Sequence, residues 1–232
     1  MTLAGIHAEW DRPTDYERWY SSSLGRSYGL SVEQSLRPWL ASAAGKTLAD
    51  IGCGPGLMIE RLLPRSTQVV GIDCSFKMAR RAAVRTQELG RPHRFVIGSI
   101  TRVPPPDACL DYAVCVNCME FVDDRRAAFA EVARTLRTHG VAIIGVLNRQ
   151  SVWEITRRVR RPFSDKPYYK GRFFSQRELR ANLESAGLHV EELETVAHFP
   201  LIPPGPFANI YRRLDAARLL NGGVILCRAM RA

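Results

Sequence analysis

Residues 48–56 read LADIGCGPG, and no other stretch restricts the fold as much. An apolar run ends in Asp50, glycines follow at 52, 54 and 56, and a helix-length segment comes next. Glycine admits positive φ and lets a ligand approach the backbone without meeting a Cβ. A helix that starts there offers unpaired N–H groups. The run QVVGID (68–73) then ends in Asp73, 17 residues beyond Gly56. An acid at the end of a second strand can accept hydrogen bonds from both hydroxyls of a ribose. The plainer reading is a tight turn followed by a helix cap. Two signals in one strand–helix–strand unit favour a nucleotide-like ligand at the C-terminal end of the first strand.

The rest of the chain repeats this rhythm. Apolar runs at 47–52, 68–73, 94–98, 111–117 and 140–148 alternate with amphipathic segments at 56–63, 75–89 and 124–138. Val, Ile and Ala crowd the runs, as in strands buried on both faces. The alternation predicts an α/β, doubly wound, largely parallel sheet. Residues 10–44 read as helical and aromatic. Ser175 with Glu178 reads as a capping box opening a helix that Gly187 stops, and further strands are expected at 189–199 and 223–230. We expect one domain over 1–232: a helical cap (1–44), a cofactor-binding core (45–148), and a lid and substrate half (149–232). The connections 149–174 and 200–222 are long enough to act as pocket walls.

Composition narrows the function classes. Of 232 residues, 46% are hydrophobic and 24% charged, enough for a sizeable core and too apolar for wholesale disorder. No run approaches about 18 apolar residues, so no spanning helix is expected. The N-terminus lacks the basic-then-apolar order of a secretory signal. Six cysteines without metal-ligand spacing disfavour a zinc site and suit a reducing, cytoplasmic setting. The net charge of +10 permits an anionic partner without requiring one.

Two cofactor classes fit a glycine loop. A dinucleotide site favours G-x-G-x-x-G, whereas this chain has G-x-G-x-G with Leu57 in the place of the third dinucleotide glycine. Asp50 would sit awkwardly beside a pyrophosphate and suits a ligand with an ammonium group. ADIGCGPG with VVGIDCS resembles motif I and the following acidic motif of the class I S-adenosylmethionine-dependent methyltransferases. YERWYSSSLGR (16–26) and FSQRELRANLESAGLHVEEL (174–193) are similar to segments of the small-molecule branch that includes ubiquinone and menaquinone methyltransferases. The resemblance implies a seven-stranded Rossmann-like sheet with its last strand antiparallel. It also implies S-adenosylmethionine as cofactor, with S-adenosylhomocysteine as product.

The resemblance assigns Asp50, Gly52, Cys53, Gly54 and Gly56 to the methionine part of the cofactor. It assigns Asp73 to the ribose, and Cys74, Met78, Ser99 and Ile100 to the adenine. Ser99 stands where many members carry Asp. Asn117, Cys118 and Tyr20 would lie near the sulfonium. Tyr16, Asn148, Tyr169 and Phe207 are the expected acceptor-side residues, and His198 is the candidate base. For Cys118 plain packing is an equal alternative.

Methyl transfer is an in-line displacement that mainly needs alignment and exclusion of water. The expected acceptor is a small hydrophobic or aromatic molecule, and the oligomeric state is left open. Arg157, Arg158, Arg160 and Arg161 read either as a solvated helix face or as an attractor of anions. Rival readings are an RNA or protein methyltransferase using the basic 157–172 segment, a non-catalytic cofactor-binding subunit, and a dinucleotide-dependent oxidoreductase. NCMEF (117–121) in place of an amide-methylating motif counts against nucleobase-amine methylation.

Overall fold

A computed structural model describes residues 10–91, 93–163, 167–198 and 221–232. Helices α1 (Pro13–Ser21) and α2 (Ser23–Ala41) precede the sheet. Then follow β1 (Thr47–Ile51), α3 (Leu57–Leu62), β2 (Gln68–Asp73), α4 (Phe76–Glu88), β3 (Arg94–Ile97) and β4 (Leu110–Val116). The chain continues through α5 (Arg125–Thr135), β5 (Leu136–Leu147), α6 (Val152–Arg160), the short α7 (Pro167–Lys170), α8 (Gln176–Ser185), β6 (Leu188–Val196) and β7 (Val224–Arg231). The strand order is β3-β2-β1-β4-β5-β7-β6, with β7 antiparallel to both neighbours and the β1–β5 pairs parallel. The seven-stranded sheet with an antiparallel last strand is the expected one.

The apolar runs are strands because both of their faces are covered. Along β5, Ala142, Ile144 and Val146 point into one core while Val141, Ile143 and Leu147 point into the other. Helices α5 and α8 close the first core through Phe129, Val132, Leu179 and Leu183. Helices α2, α3 and α6 close the second through Leu36, Leu40, Ile59 and Trp153. Local signals fix the helix starts. Ser75, Asp124 and Ser175 each accept a backbone N–H in the first turn of α4, α5 and α8. The capping box at Ser175 is only half made, because the Glu178 carboxylate turns to Arg125 instead.

Two boundaries differ from the sequence reading. β5 begins at Leu136, so α5 is shorter than 124–138 and the strand longer than 140–148. His139 sits at φ 62°, and the β4–β5 register shifts between Leu110 and Tyr112. An irregularity of this kind lets a strand start early and still keep its inward face. The second difference concerns 149–174. This segment is fastened to the body: Trp153, Phe173 and Phe174 are buried, and Asn148 forms a bridge with Phe174. Arg157 is buried too. Its guanidinium forks onto Glu154 at 2.5 and 2.8 Å and donates to the Tyr169 carbonyl at 2.8 Å. One member of the basic cluster is therefore an internal strut, while Arg158 is exposed. Most of the second long connection, 200–222, lies outside the described residues.

The N-terminal helices are strapped across the C-terminal ends of the strands. Asp11 pairs with Lys77 and accepts the Ser75 hydroxyl at 2.6 Å. Glu17 bridges Arg81 and Arg85 of α4. The Trp10 ring stands edge-on to Phe121, with 4.8 Å between centroids.

Trp153 and this strap generate two predictions. Trp153 is 2% exposed and packs so tightly on Gly223 that a Cβ there would lie 2.3 Å from its ring. Trp153→Ala should cost about 3–5 kcal/mol, read from urea unfolding; a loss below about 1 kcal/mol would mean the segment is not fastened there. Glu17→Ala should raise amide exchange in α1 and leave β1 and β4 unchanged, because partly exposed ion pairs contribute only about 0.2–1 kcal/mol each.

Candidate functional site

The order β3-β2-β1-β4-β5 places a switch point between β1 and β4, where a doubly wound sheet opens a crevice at its C-terminal edge. A cavity of about 70 Å³ lies there. Asp50, Gly52 and Asn117 line it from the strand ends, Tyr16, Tyr20 and Tyr28 from the helical cap, and Arg61 from α3.

Asp50 is the penultimate residue of β1, paired between Gly71 and Val114, and is 3% exposed. Among the described residues its Oδ2 is buried without a hydrogen-bond partner. Burial, helped by the negative charge of Asp73, pushes its carboxyl up to about 8. A buried carboxyl with a free oxygen is costly unless a ligand completes it. Gly52 (φ +77°) must lack a side chain, since a Cβ would meet the Cys118 Cβ at 2.7 Å. Gly54 (φ +52°) faces open space, the arrangement a ligand-facing loop needs. Gly56 leads directly into α3.

Asp73 ties the two sequence signals together. Its Oδ2 accepts from the Gly54 N–H and its Oδ1 from the Ser75 N–H, both at 2.8 Å. The Asp73 carbonyl accepts from Gly98, which brings the end of β3 and Ser99 beside it. Ser99 is exposed, with its hydroxyl 2.9 Å from that of Thr101. Cys74 is exposed, whereas Met78 is buried and Ile100 packs against the first core.

Asn117 adopts φ 58°, which Asn tolerates better than most residues. Its Nδ2 donates to the Tyr28 hydroxyl, while its Oδ1 is buried without a partner. The Tyr16 and Tyr20 hydroxyls are 3.3 Å apart. Burial raises the pKa of all three cap tyrosines, so they act as neutral hydrogen-bonding phenols.

Cys53 is buried in the second core and also lines the cavity, so it stays at the site. Several other sequence candidates fall elsewhere. Cys118 supports the loop from below, its thiol bonded to the Ile51 carbonyl at 3.3 Å and close to Cys115. Asn148 is fully buried: its Nδ2 donates to the Gly222 carbonyl and its Oδ1 accepts from Gln150. That side chain clasps the β5 end to the approach of β7, because a buried amide must satisfy both of its ends, and it does not line the cavity. His198 is buried after the edge strand β6, its Nε2 3.2 Å from the Thr195 hydroxyl, and it does not line the cavity. Tyr169 uses its carbonyl to hold Arg157 and does not line the cavity either. Phe207 lies outside the described residues.

Glu120 went unread in the sequence as a site in its own right. It is 2% exposed, its Oε1 accepts from the Leu147 N–H, and its Oε2 is buried without a partner. Burial outweighs the nearby Arg125 and pushes its carboxyl up to about 7. The Tyr168 hydroxyl is likewise buried and unpartnered. The one available signal was an acid four residues beyond the end of β4, which by itself reads as a helix cap.

The residues fit S-adenosylmethionine. Asp50 offers an orphan acidic oxygen, Gly54 an open backbone, and Asp73 a carboxylate already held at the β2 end. A methyltransferase-domain family pattern matches residues 49–144. The ubiquinone biosynthesis O-methyltransferase of Thiobacillus denitrificans is 27% identical over 69% of this chain and 72% of its own length. Among solved structures, an S-adenosylmethionine-dependent methyltransferase from Thermotoga maritima aligns with a TM-score of 0.73 at 23% identity, covering 98% of this chain and 100% of that one. The magnesium protoporphyrin IX methyltransferase of Synechocystis, solved with bound S-adenosylhomocysteine, aligns with a TM-score of 0.70 at 15% identity, covering 94% and 95%. Among the described residues no helix is long and apolar enough to cross a membrane. Residues 49–144 carry a methyltransferase domain, and over most of its length the chain is similar to S-adenosylmethionine-dependent methyltransferases.

Proposed function

We propose that this enzyme methylates a small hydrophobic or aromatic acceptor, held between the helical cap and the 149–174 segment over the ends of β4 and β5. The observation that carries the reading is the buried, unpartnered Asp50 Oδ2 on the floor of a cavity roofed by tyrosines. The S-adenosylmethionine cofactor supplies a methyl group already activated by a sulfonium. Asp50 holds the ammonium of its amino-acid part, and the backbone of 52–56 lies alongside. Asp73 takes the ribose hydroxyls, as an ionised carboxylate with several acceptor sites can. Cys74, Ser99 and Ile100 border the adenine, with Met78 packed beneath. Asn117 and Tyr20 stand beside the reacting centre, and Tyr16 closes it from water.

An aromatic acceptor is supported by the rings that gather on that side. Tyr28 and Trp153 are 5.5 Å apart between centroids, as are Tyr168 and Phe173. The relatives named for ubiquinone biosynthesis support the same class. The division into cap (1–44), core (45–148) and substrate half (149–232) is part of this reading, as is a cytoplasmic setting, which six free cysteines favour.

Two expectations test the cofactor side. Because burial raises Asp50 from 3.8 to about 8, the ligand-free fold binds a proton that the unfolded chain has lost. Its stability contribution is full below the unfolded value and fades as pH rises through the window to about 8. An ammonium at Asp50 favours the ionised form, so S-adenosylhomocysteine binding near pH 7 should release close to one proton. Calorimetry in buffers of different ionisation heat measures this, and Asp50→Asn should abolish it. Proton release that survives the substitution would place the ammonium elsewhere. Asp73→Ala should weaken S-adenosylhomocysteine binding by about 1.5–3 kcal/mol, the scale of lost charge-assisted hydrogen bonds. An unchanged affinity would remove Asp73 from the site.

A further inference from the structure

We propose that Glu120 is the general base of the transfer: its free Oε2 receives the proton of an acceptor hydroxyl that the Tyr168 hydroxyl also contacts, and the acceptor is a phenol or an enol. This inference rests on the placement of the acceptor over β4 and β5 given above.

The carboxyl is anchored at one oxygen only. Leu147, at the end of β5, donates its N–H to Oε1, while Oε2 has no partner among the described residues. A purely structural anchor would need just the first oxygen. Leaving the second one buried and unmet is costly, so its retention points to a partner that arrives with substrate. Among the described residues the Tyr168 hydroxyl is in the same condition on the opposing segment; burial is what chiefly holds its phenol up, and the Glu120 charge adds a minor part. Gly171 lets that segment close on the β4 end: a Cβ there would lie 2.9 Å from Phe121 and 3.4 Å from the Glu120 Cβ. The backbone adds a tie, with Arg172 N–H donating to the Glu120 carbonyl at 2.9 Å.

The groups around Glu120 come from several elements. Tyr28 on α2, Cys118 after β4 and Tyr168 on α7 feel its charge as neutral acids. Among the described residues Arg125 on α5 is the cation that acts on it, and that guanidinium is bound to Glu178 and to the Arg172 carbonyl. With burial dominant, the carboxyl lies near 7. A base of that strength matches a hydroxyl near 10, the phenol range, and falls far short of an aliphatic alcohol.

In the step, Glu120 Oε2 takes the hydroxyl proton as the acceptor oxygen forms its bond to the methyl carbon. The C–S bonding pair stays on sulfur and cancels its positive charge. The products are a methyl ether, a neutral thioether and a protonated Glu120, which returns its proton to water.

The test uses the full chain as wild type, Glu120→Gln and Tyr168→Phe. Gln keeps an acceptor for the Leu147 N–H. Calorimetry with S-adenosylhomocysteine comes first. Affinities within about twofold of each other, with melting temperatures to match, certify the site in all three proteins. Failure of the wild type to bind would sink the cofactor reading itself rather than this inference. 4-Nitrophenol is then added to each saturated complex and its ionisation followed by absorbance. In the wild type a neighbouring carboxylate should keep the bound phenol neutral to higher pH than in solution, by a unit or more. That shift should vanish in Glu120→Gln, and Tyr168→Phe should weaken nitrophenol binding several-fold. Wild type and Glu120→Gln behaving alike, or nitrophenol failing to bind the wild-type complex, overturns the proposal. Any phenol in a panel that is methylated should show kcat/KM rising with pH through about 7 and falling about 100-fold or more in Glu120→Gln; an unchanged pH profile in the variant would equally overturn it.

Discussion

The site depends on one carboxylate, that of Asp73. Its two oxygens accept the Gly54 and Ser75 N–H groups, so a single side chain at the end of β2 fixes both the glycine loop after β1 and the start of α4. Ser75 then caps α4 and accepts Met78 N–H, and through its hydroxyl it meets Asp11 of the N-terminal cap. The loop, the helix start and the cap are thereby held in one frame. Charge-assisted hydrogen bonds are among the stronger polar contacts available to a protein. Here they sit at the crevice that the strand order opens. Burial, with the negative charge of Asp73 adding to it, raises the Asp50 carboxyl to about 8.

The second organising feature is the aromatic cap. Tyr16, Tyr20 and Tyr28 are drawn over the strand ends by ion pairs from Glu17 and Asp11 to α4, and by the Asn117 amide below. Their neutral hydroxyls line a small cavity whose floor is Asp50. A displacement at a sulfonium needs alignment and dryness more than acid–base power, and rigid phenols over a buried floor provide both. The cap and the 149–174 segment meet at the Tyr28–Trp153 contact.

Much of this was legible in the chain. Asp50, the glycines, Asp73 and the alternation of apolar runs are local signals whose backbone needs are local too. Tyr16 and Tyr20 were readable as a lid because aromatic residues crowd a helix that precedes the first strand. What escaped reading depends on tertiary burial. Asn148 stands at a strand end, where a polar residue invites a substrate role, yet the approach of Gly222 consumes its amide. Arg157 belongs to a run that reads as a solvated face, but Glu154 one turn earlier draws it inward. His198 follows β6, and only the order β5-β7-β6 reveals that β6 is the edge. Glu120 looked like one more acid in a turn, because nothing in the letters shows that one oxygen is bound and the other stranded.

The central claim is that glycine loop, Asp73 and aromatic cap form a single cofactor pocket. A hydrogen-exchange footprint of S-adenosylhomocysteine on the full chain tests it most directly. Protection should appear together in residues 50–56, in 73–78 and in the cap helices 13–28, and be absent from β6 at 188–196. Protection of the loop with an unaffected cap, or a footprint centred on β6, would contradict the account.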